Sequence, residues 1–332
     1  MMNLRTTFPV TPSDRKINYG TPVIFAGSCF ASEIGEKMAS AGMQVLINPS
    51  GTLFNPASVA SAIDIIVEKK SFTSEDLFLH DGLYHSFYHY TDFSSHDSVK
   101  ALEKINLSVS KAHGFLRKAE FLFITFGTAR IFRLKETGMI VSNCHKLPAS
   151  MFTTRLLTVE EIHELWVDLL GRLAGFNKNL KVIFTLSPIR YLNNGVHDNQ
   201  ISKAILLLSI EKLLEHPSSP GYFPVYELLM DDLRDYRFYA GDMVHPSETA
   251  IEYIFDAFTS AFFSRETLQI YKEAVEIEKA MNHRFISPVA EQVRRFADTM
   301  LRKISLLEKR VPGIDLGAQK KYFYSLKGDS FS

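Results

Sequence analysis

Pro22-Val23-Ile24-Phe25-Ala26-Gly27-Ser28-Cys29-Phe30-Ala31 is the stretch on which the fold of this 332-residue chain turns. Pro22 to Ala26 is short, almost wholly apolar, and bounded by Gly20 and Gly27. That is the pattern of a strand buried on both faces. Beyond it, Ala31, Ile34, Met38 and Ala41 fall on one stripe and predict a helix. Two further runs repeat the first: Phe121-Leu122-Phe123-Ile124-Thr125-Phe126 before Gly127, and Lys181-Val182-Ile183-Phe184-Thr185 before Ser187-Pro188. Between them stand helical patterns near 57–69, 97–116 and 158–173, the last with Thr158 and Glu161 at capping-box spacing. Gln44 to Ile47 adds a shorter apolar run that ends in the turn cluster Asn48-Pro49-Ser50-Gly51. Apolar strands alternating with helices predict a parallel sheet covered on both faces. Sites in such sheets lie at the carboxyl ends of strands. The residues to inspect are therefore Gly27-Ser28, Asn48 to Asn55, Gly127-Thr128 and Ser187-Pro188.

Three segments depart from this rhythm. Residues 72–96 alternate Leu83, His85, Phe87 and His89 with Tyr84, Ser86, Tyr88 and Tyr90, which reads as a hairpin or long loop. Residues 130–143 read as a hairpin through Lys135-Glu136-Thr137-Gly138. After helices near 199–215, 247–263 and 266–281, Val289, Val293, Phe296, Met300, Ile304 and Leu307 recur at three- and four-residue steps. The expected organisation is a sheet domain over 1–264 and a C-terminal helical extension over 265–332. These carry net charges of −4 and +4. Val289, Phe296 and Ile304 would form the seam of a homo-oligomer, or would simply cover the chain's own sheet domain.

The 37 basic and 37 acidic residues cancel, which argues against a nucleic-acid or anionic-membrane partner. With 46% hydrophobic and 22% charged residues, a packed core is expected and wholesale disorder is not. Cys29 and Cys144 are the only cysteines, too few for a disulfide framework or a four-thiolate zinc site. A reducing, cytoplasmic location is the expectation. No leader-like stretch opens the chain, and no run of about 18 apolar residues occurs.

Ser28 follows the first strand and opens a helix, where a hydroxyl can attack a carbonyl beside backbone N–H groups. Serine is equally a favoured helix cap. Asp242 and His245 stand three apart in Gly241-Asp242-Met243-Val244-His245-Pro246-Ser247. At that spacing a carboxylate can orient an imidazole. Adjacent residues at a turn point differently, so Ser28 is expected to face the cleft and Cys29 to pack inward. Tyr84, His85, His89 and Tyr90 are candidates for the cleft wall. His85, His89 and Asp92 lack the context of a metal site. Ser187 and Arg190 follow the third long strand and are candidates for the same cleft.

A serine after the first strand and a late Asp-x-x-His-Pro form the arrangement of the SGNH (GDSL-type) hydrolases. Gly27-Ser28-Cys29-Phe30-Ala31 spells the pentapeptide of the GSCFA family. The chain resembles that family over roughly 20–262, including Phe126-Gly127-Thr128-Ala129, Asn143-Cys144-His145-Lys146 and Tyr236-Arg237-Phe238-Tyr239. The resemblance implies a three-layer α/β/α sandwich with a mostly parallel, flavodoxin-like sheet. It implies Ser28 as nucleophile, His245 as general base and Asp242 as its orienting acid, with no metal and no organic cofactor. Gly51 matches the oxyanion glycine by position. No asparagine follows Phe126; Gly127 and Thr128 stand there, so Thr128 or Asn143 is the expected substitute, with His145 a candidate beside them. The implied activity is a serine esterase that removes acetyl or another short acyl group from a small molecule or glycan. An acyltransferase with the same triad, and a ligand-binding protein without catalysis, remain alternatives.

Overall fold

The computed structural model describes residues 6–283, 285 and 290–327. The chain forms two compact units. One comprises the described residues up to Val10, Val23–Ile34 and Leu46–Phe255; the other gathers Thr11–Pro22, Gly35–Val45 and the described residues from Asp256 on.

The first unit is built on strands β1 (Val23–Gly27), β2 (Val45–Ile47), β5 (Phe121–Phe126), β9 (Lys181–Leu186) and β10 (Gly221–Tyr222). Their order is β10-β9-β5-β1-β2, and β1, β5, β9 and β10 pair in parallel. This is the doubly wound order in which the sheet grows outward on both sides of its first strand. The alternating residues Ile24 and Ala26, Leu122, Ile124 and Phe126, and Val182, Phe184 and Leu186 face one core. They pack against α2 (Pro56–Glu68), α3 (Ser98–Leu116), α4 (Val159–Phe176) and α5 (Val196–Leu214). On the other face Phe25 stacks on Phe123 with centroids 4.9 Å apart. The expectation of an α/β fold with a parallel sheet flanked by helices therefore holds. The Thr158 capping box also forms: Glu161 N–H donates to Thr158 Oγ1 at 3.2 Å, and Thr158 N–H donates to Glu161 Oε2 at 2.8 Å.

Two insertions carry antiparallel strands. The 72–96 segment holds the hairpin β3 (Phe78–His80) and β4 (Leu83–His85). The expected 130–143 hairpin is present as β6 (Arg130–Leu134) and β7 (Ile140–Val141), but it gains a third strand, β8 (Phe152–Leu156), in the order β7-β6-β8. Phe152-Thr153-Thr154-Arg155-Leu156 has mixed polarity and no turn directly linking it to its partner, so its pattern alone does not announce a strand. A single turn α6 (Val225–Glu227) leads through a π-helical turn, Leu228–Leu233, to the loop before α7 (Glu248–Phe262).

The second unit contains α8 (Arg265–Met281), α9 (Ala290–Arg310) and α10 (Gly317–Lys327). On α9 the stripe Ala297, Met300, Ile304 and Leu307 is buried, and α9 lies against both α8 and α10. Phe296 is half-buried against Phe323 of α10. Val289, the first residue of the expected seam, lies outside the described residues. None of the described helices is long and apolar enough to cross a membrane.

Candidate active site

Ser28 sits between β1 and α1 (Cys29–Ser40), at the carboxyl edge of the sheet. The backbone there is unusual. Gly27 has φ +128°, and a Cβ placed on it would stand 2.1 Å from the carbonyl oxygen of Thr125 on β5. The Gly27 N–H donates to Asn48 Oδ1 at 2.9 Å, and Asn48 itself takes φ +41°. This turn presents Ser28 with 1% of its surface exposed. Among the described residues its Oγ is buried without a hydrogen-bond partner, and so is not bonded to His245. A buried hydroxyl left unpaired costs free energy and calls for a reason.

His245 and Asp242 come from the loop between the π-helical turn and α7. Asp242 Oδ1 accepts from the Val244 and His245 N–H groups at 2.9 Å each, which closes the loop on the carboxylate. Asp242 Oδ2 lies 2.6 Å from His245 Nδ1. Those two backbone donors and the imidazole hold the Asp242 carboxyl down at about 2. The local spacing thus forms the pair that the sequence leads one to expect. Both side chains are about half exposed. Met243, between them, takes φ +58°, and its carbonyl accepts from Arg190 Nη2. The Arg190 guanidinium also stands 5.1 Å from the Tyr239 ring centroid.

Ser28 and His245 line one cavity of about 810 Å³, together with Gly127, Thr128, Asn143, Ser187 and Arg190. Cys29 lines it as well, contrary to the expectation that only one of the neighbours faces the cleft; Cys29 is the first residue of α1, and that helix opens at the cavity. Burial raises the Cys29 thiol above its ordinary value, so it is a thiol rather than a thiolate near neutral pH.

The expected oxyanion donors fare differently. Gly51 N–H is spent locally on Asn48 O at 2.7 Å, and Gly51 is not part of the cavity wall. Its φ of +82° and a 2.3 Å approach of any added Cβ to Tyr90 Cβ explain the glycine by packing. Gly127 and Thr128 N–H groups both donate to Phe54 O, at 2.8 and 3.0 Å. Ser28 N–H donates to Thr125 O at 3.0 Å. Asn143 lines the cavity; its Oδ1 accepts from His145 N–H at 2.7 Å, which leaves the Nδ2 amide free among the described residues.

His145 is absent from the cavity wall. It is 3% exposed, and its Nε2–H donates to Ser86 O at 2.9 Å. It joins His85 (centroids 4.5 Å apart) and Phe78 (5.6 Å) behind the β3–β4 hairpin. Of Tyr84, His85, His89 and Tyr90, only Tyr90 reaches the cavity. His89 packs instead against Phe72 and Phe93. Among the described residues no group of three or more His, Cys, Asp or Glu is placed to hold a metal ion.

These imidazoles make folding pH-dependent. Burial lowers His89 and His145 to about 4 each. Lys70 reinforces the shift at His89, and His85 does so at His145. The unfolded chain takes up their protons below about 6.5. Their contribution is therefore intact above about pH 6.5 and is lost as pH falls toward 4. The slope is ~1.4 kcal/mol per pH unit for each histidine. Urea midpoints at about pH 7 and about pH 5 check this; equal midpoints would count against it.

Sequence reading also missed Lys203. Fully buried on α5, its Nζ donates to Gly127 O at 2.7 Å and Ser187 O at 2.6 Å, which ties together the ends of β5 and β9 beneath the cavity. Burial lowers it to about 7. A lysine within a helix ordinarily reads as solvated, and no local pattern marks this one.

No curated protein matches the chain. A solved structure, an acetyl xylan esterase (Est2A) from the rumen bacterium Butyrivibrio proteoclasticus, is similar at a TM-score of 0.38 and 10% identity, over 76% of this chain and 66% of that one. The chain thus spans just under two thirds of that structure's length. The model of the GSCFA family matches residues 22–258. With that span covering the sheet, the Ser28 turn and the Asp242–His245 loop, the chain belongs to the GSCFA family.

Proposed function

We propose that the chain is a serine ester hydrolase of the SGNH type, in which Ser28 is the nucleophile, His245 the general base and Asp242 its orienting acid. One observation carries this reading: Ser28 lines the same cavity as an imidazole already bonded through Nδ1 to a carboxylate. That bond leaves Nε2 to take the Ser28 hydroxyl proton as Oγ attacks the ester carbonyl. His245 then returns the proton to the leaving alcohol, and water hydrolyses the acyl-serine with His245 again as base. The unpaired Ser28 Oγ gains its partner when the half-exposed His245 loop and substrate complete the site. The Gly51, Gly127, Thr128 and Ser28 N–H groups are already bonded, and Asn143 Nδ2, on the cavity wall, is a side-chain donor for the oxyanion.

Labelling by a fluorophosphonate tests this, since the reagent reacts with an activated serine. Adduct mass on the peptide containing Ser28 is the expected result; its absence would sink the assignment. Asp242→Asn is expected to lower kcat by about 10² to 10⁴, because an amide at this position favours the wrong imidazole tautomer. Circular dichroism of that variant should be unchanged, as Asp242 is half exposed.

A further inference from the structure

We infer that the acyl half of the substrate is a medium-length apolar chain, between butanoyl and decanoyl in size, seated along the inner face of the sheet β6–β7–β8. This rests on the serine-hydrolase reading above and takes the acyl class beyond acetyl.

The carboxyl end of β5 abuts the nucleophile, because Ser28 N–H is bonded to Thr125 O at 3.0 Å, and Gly127 and Thr128 of the β5–β6 connection line the cavity with Ser28. From there β6 leads away as Arg130–Leu134. Side chains alternate along a strand, so Arg130 and Phe132 share one face while Ile131 enters the main core. Phe132 stands opposite Val141 on β7 and Thr154 on β8, and Leu134 stands opposite Phe152. Phe132, Val141, Thr154 and Phe152 all line the cavity. At the usual strand rise the wall from Arg130 to Leu134 is about 14 Å long.

The one charge on this wall is paired. Arg130, 8% exposed, is neutralised by Asp198 and donates to Thr154 Oγ1 at 3.3 Å, while its Nε has no hydrogen-bond partner among the described residues. Among the described residues no carboxylate lines the cavity. The two ends therefore differ in kind. His245, half exposed, must protonate the leaving oxygen, so the alcohol departs on that side. The acyl chain runs the other way, towards β6. A cavity of about 810 Å³ lies in the range that encloses a drug-sized ligand. An acetyl group would leave most of the apolar wall unfilled. A longer chain removes that wall from water, and each added methylene strengthens binding as the reaction proceeds.

The experiment uses the full chain and two matched ester sets. In one, 4-nitrophenyl esters run from acetate to dodecanoate. In the other, the acyl group stays acetyl and the alcohol lengthens. The expected result is a rise in kcat/KM of at least about tenfold from acetate to octanoate, with little change in the alcohol set. Ala149→Trp, a substitution at an exposed residue of the cavity rim, should move the optimum to shorter chains. Acetate as the best acyl group, a gain confined to the alcohol set, or an optimum unmoved by Ala149→Trp would overturn the inference. Labelling of Ser28 by ethyl and octyl fluorophosphonates gives the same comparison without turnover. Faster octyl labelling supports the inference, and equal rates overturn it. If neither reagent labels Ser28, the hydrolase reading itself falls; if both do and acetate is preferred, only the acyl assignment falls.

Discussion

Ser28→Ala is expected to reduce ester hydrolysis by roughly 10⁴ to 10⁶ while leaving the fold as stable as before, or more so. The first half follows from the role of a triad nucleophile, whose loss leaves only binding and oxyanion stabilisation. The second half follows from a particular of this site. Ser28 Oγ is buried and makes no hydrogen bond among the described residues. Its removal breaks nothing and relieves an unsatisfied polar atom, a change worth about 1 kcal/mol in favour of the folded state. A helix-capping serine would behave in the opposite way. Loss of a cap destabilises by about 0.5–2 kcal/mol and has no reason to stop chemistry. Turnover and urea midpoint, measured on one variant, therefore separate the two readings of this residue. An active, destabilised variant would assign Ser28 to the cap.

Gly27→Ala carries the second large effect, and here stability and activity fall together. The added Cβ would meet Thr125 at 2.1 Å from its carbonyl oxygen, 2.9 Å from its carbonyl carbon and 3.0 Å from its nitrogen. All three are backbone atoms of a central strand, so no side chain can turn aside. The φ of +128° adds strain for any residue with a Cβ. A cost of about 3–5 kcal/mol is expected, a large share of the stability of a typical domain. The same carbonyl accepts the Ser28 N–H, so relief of the clash displaces the nucleophile. Gly171→Ala provides the contrast. Gly171 lies in α4 with nothing within 4 Å of an added Cβ, and the substitution should stabilise by about 0.5–1 kcal/mol. Thermal melts of the two variants check both signs. The geometry also accounts for a feature of the sequence: the position before the serine has no room for a side chain.

Some of this protein was determined by sequence alone. The runs that begin at Val23, Phe121 and Val182 are short and predominantly apolar, with turn residues after them, a pattern that suits strands buried on both faces. The Thr158 capping box and the Asp242–His245 pair are contacts across three residues, so their spacing in the chain is nearly their spacing in space. The resemblance carried by Gly27-Ser28-Cys29-Phe30-Ala31 rests on the same local quality. What tertiary structure decided is which polar groups remain available. Gly127 and Thr128 lost their N–H groups to Phe54 O, a carbonyl more than seventy residues away. His145 was drawn behind a hairpin by Ser86 and Phe78, and Lys203 was drawn under the sheet edge by two strand-end carbonyls. The apolar wall of the cavity is completed by β8, whose mixed sequence becomes a strand only when β6 supplies its partners. Periodicity reports how a residue sits on its own element, whereas donor availability depends on groups brought together by the fold.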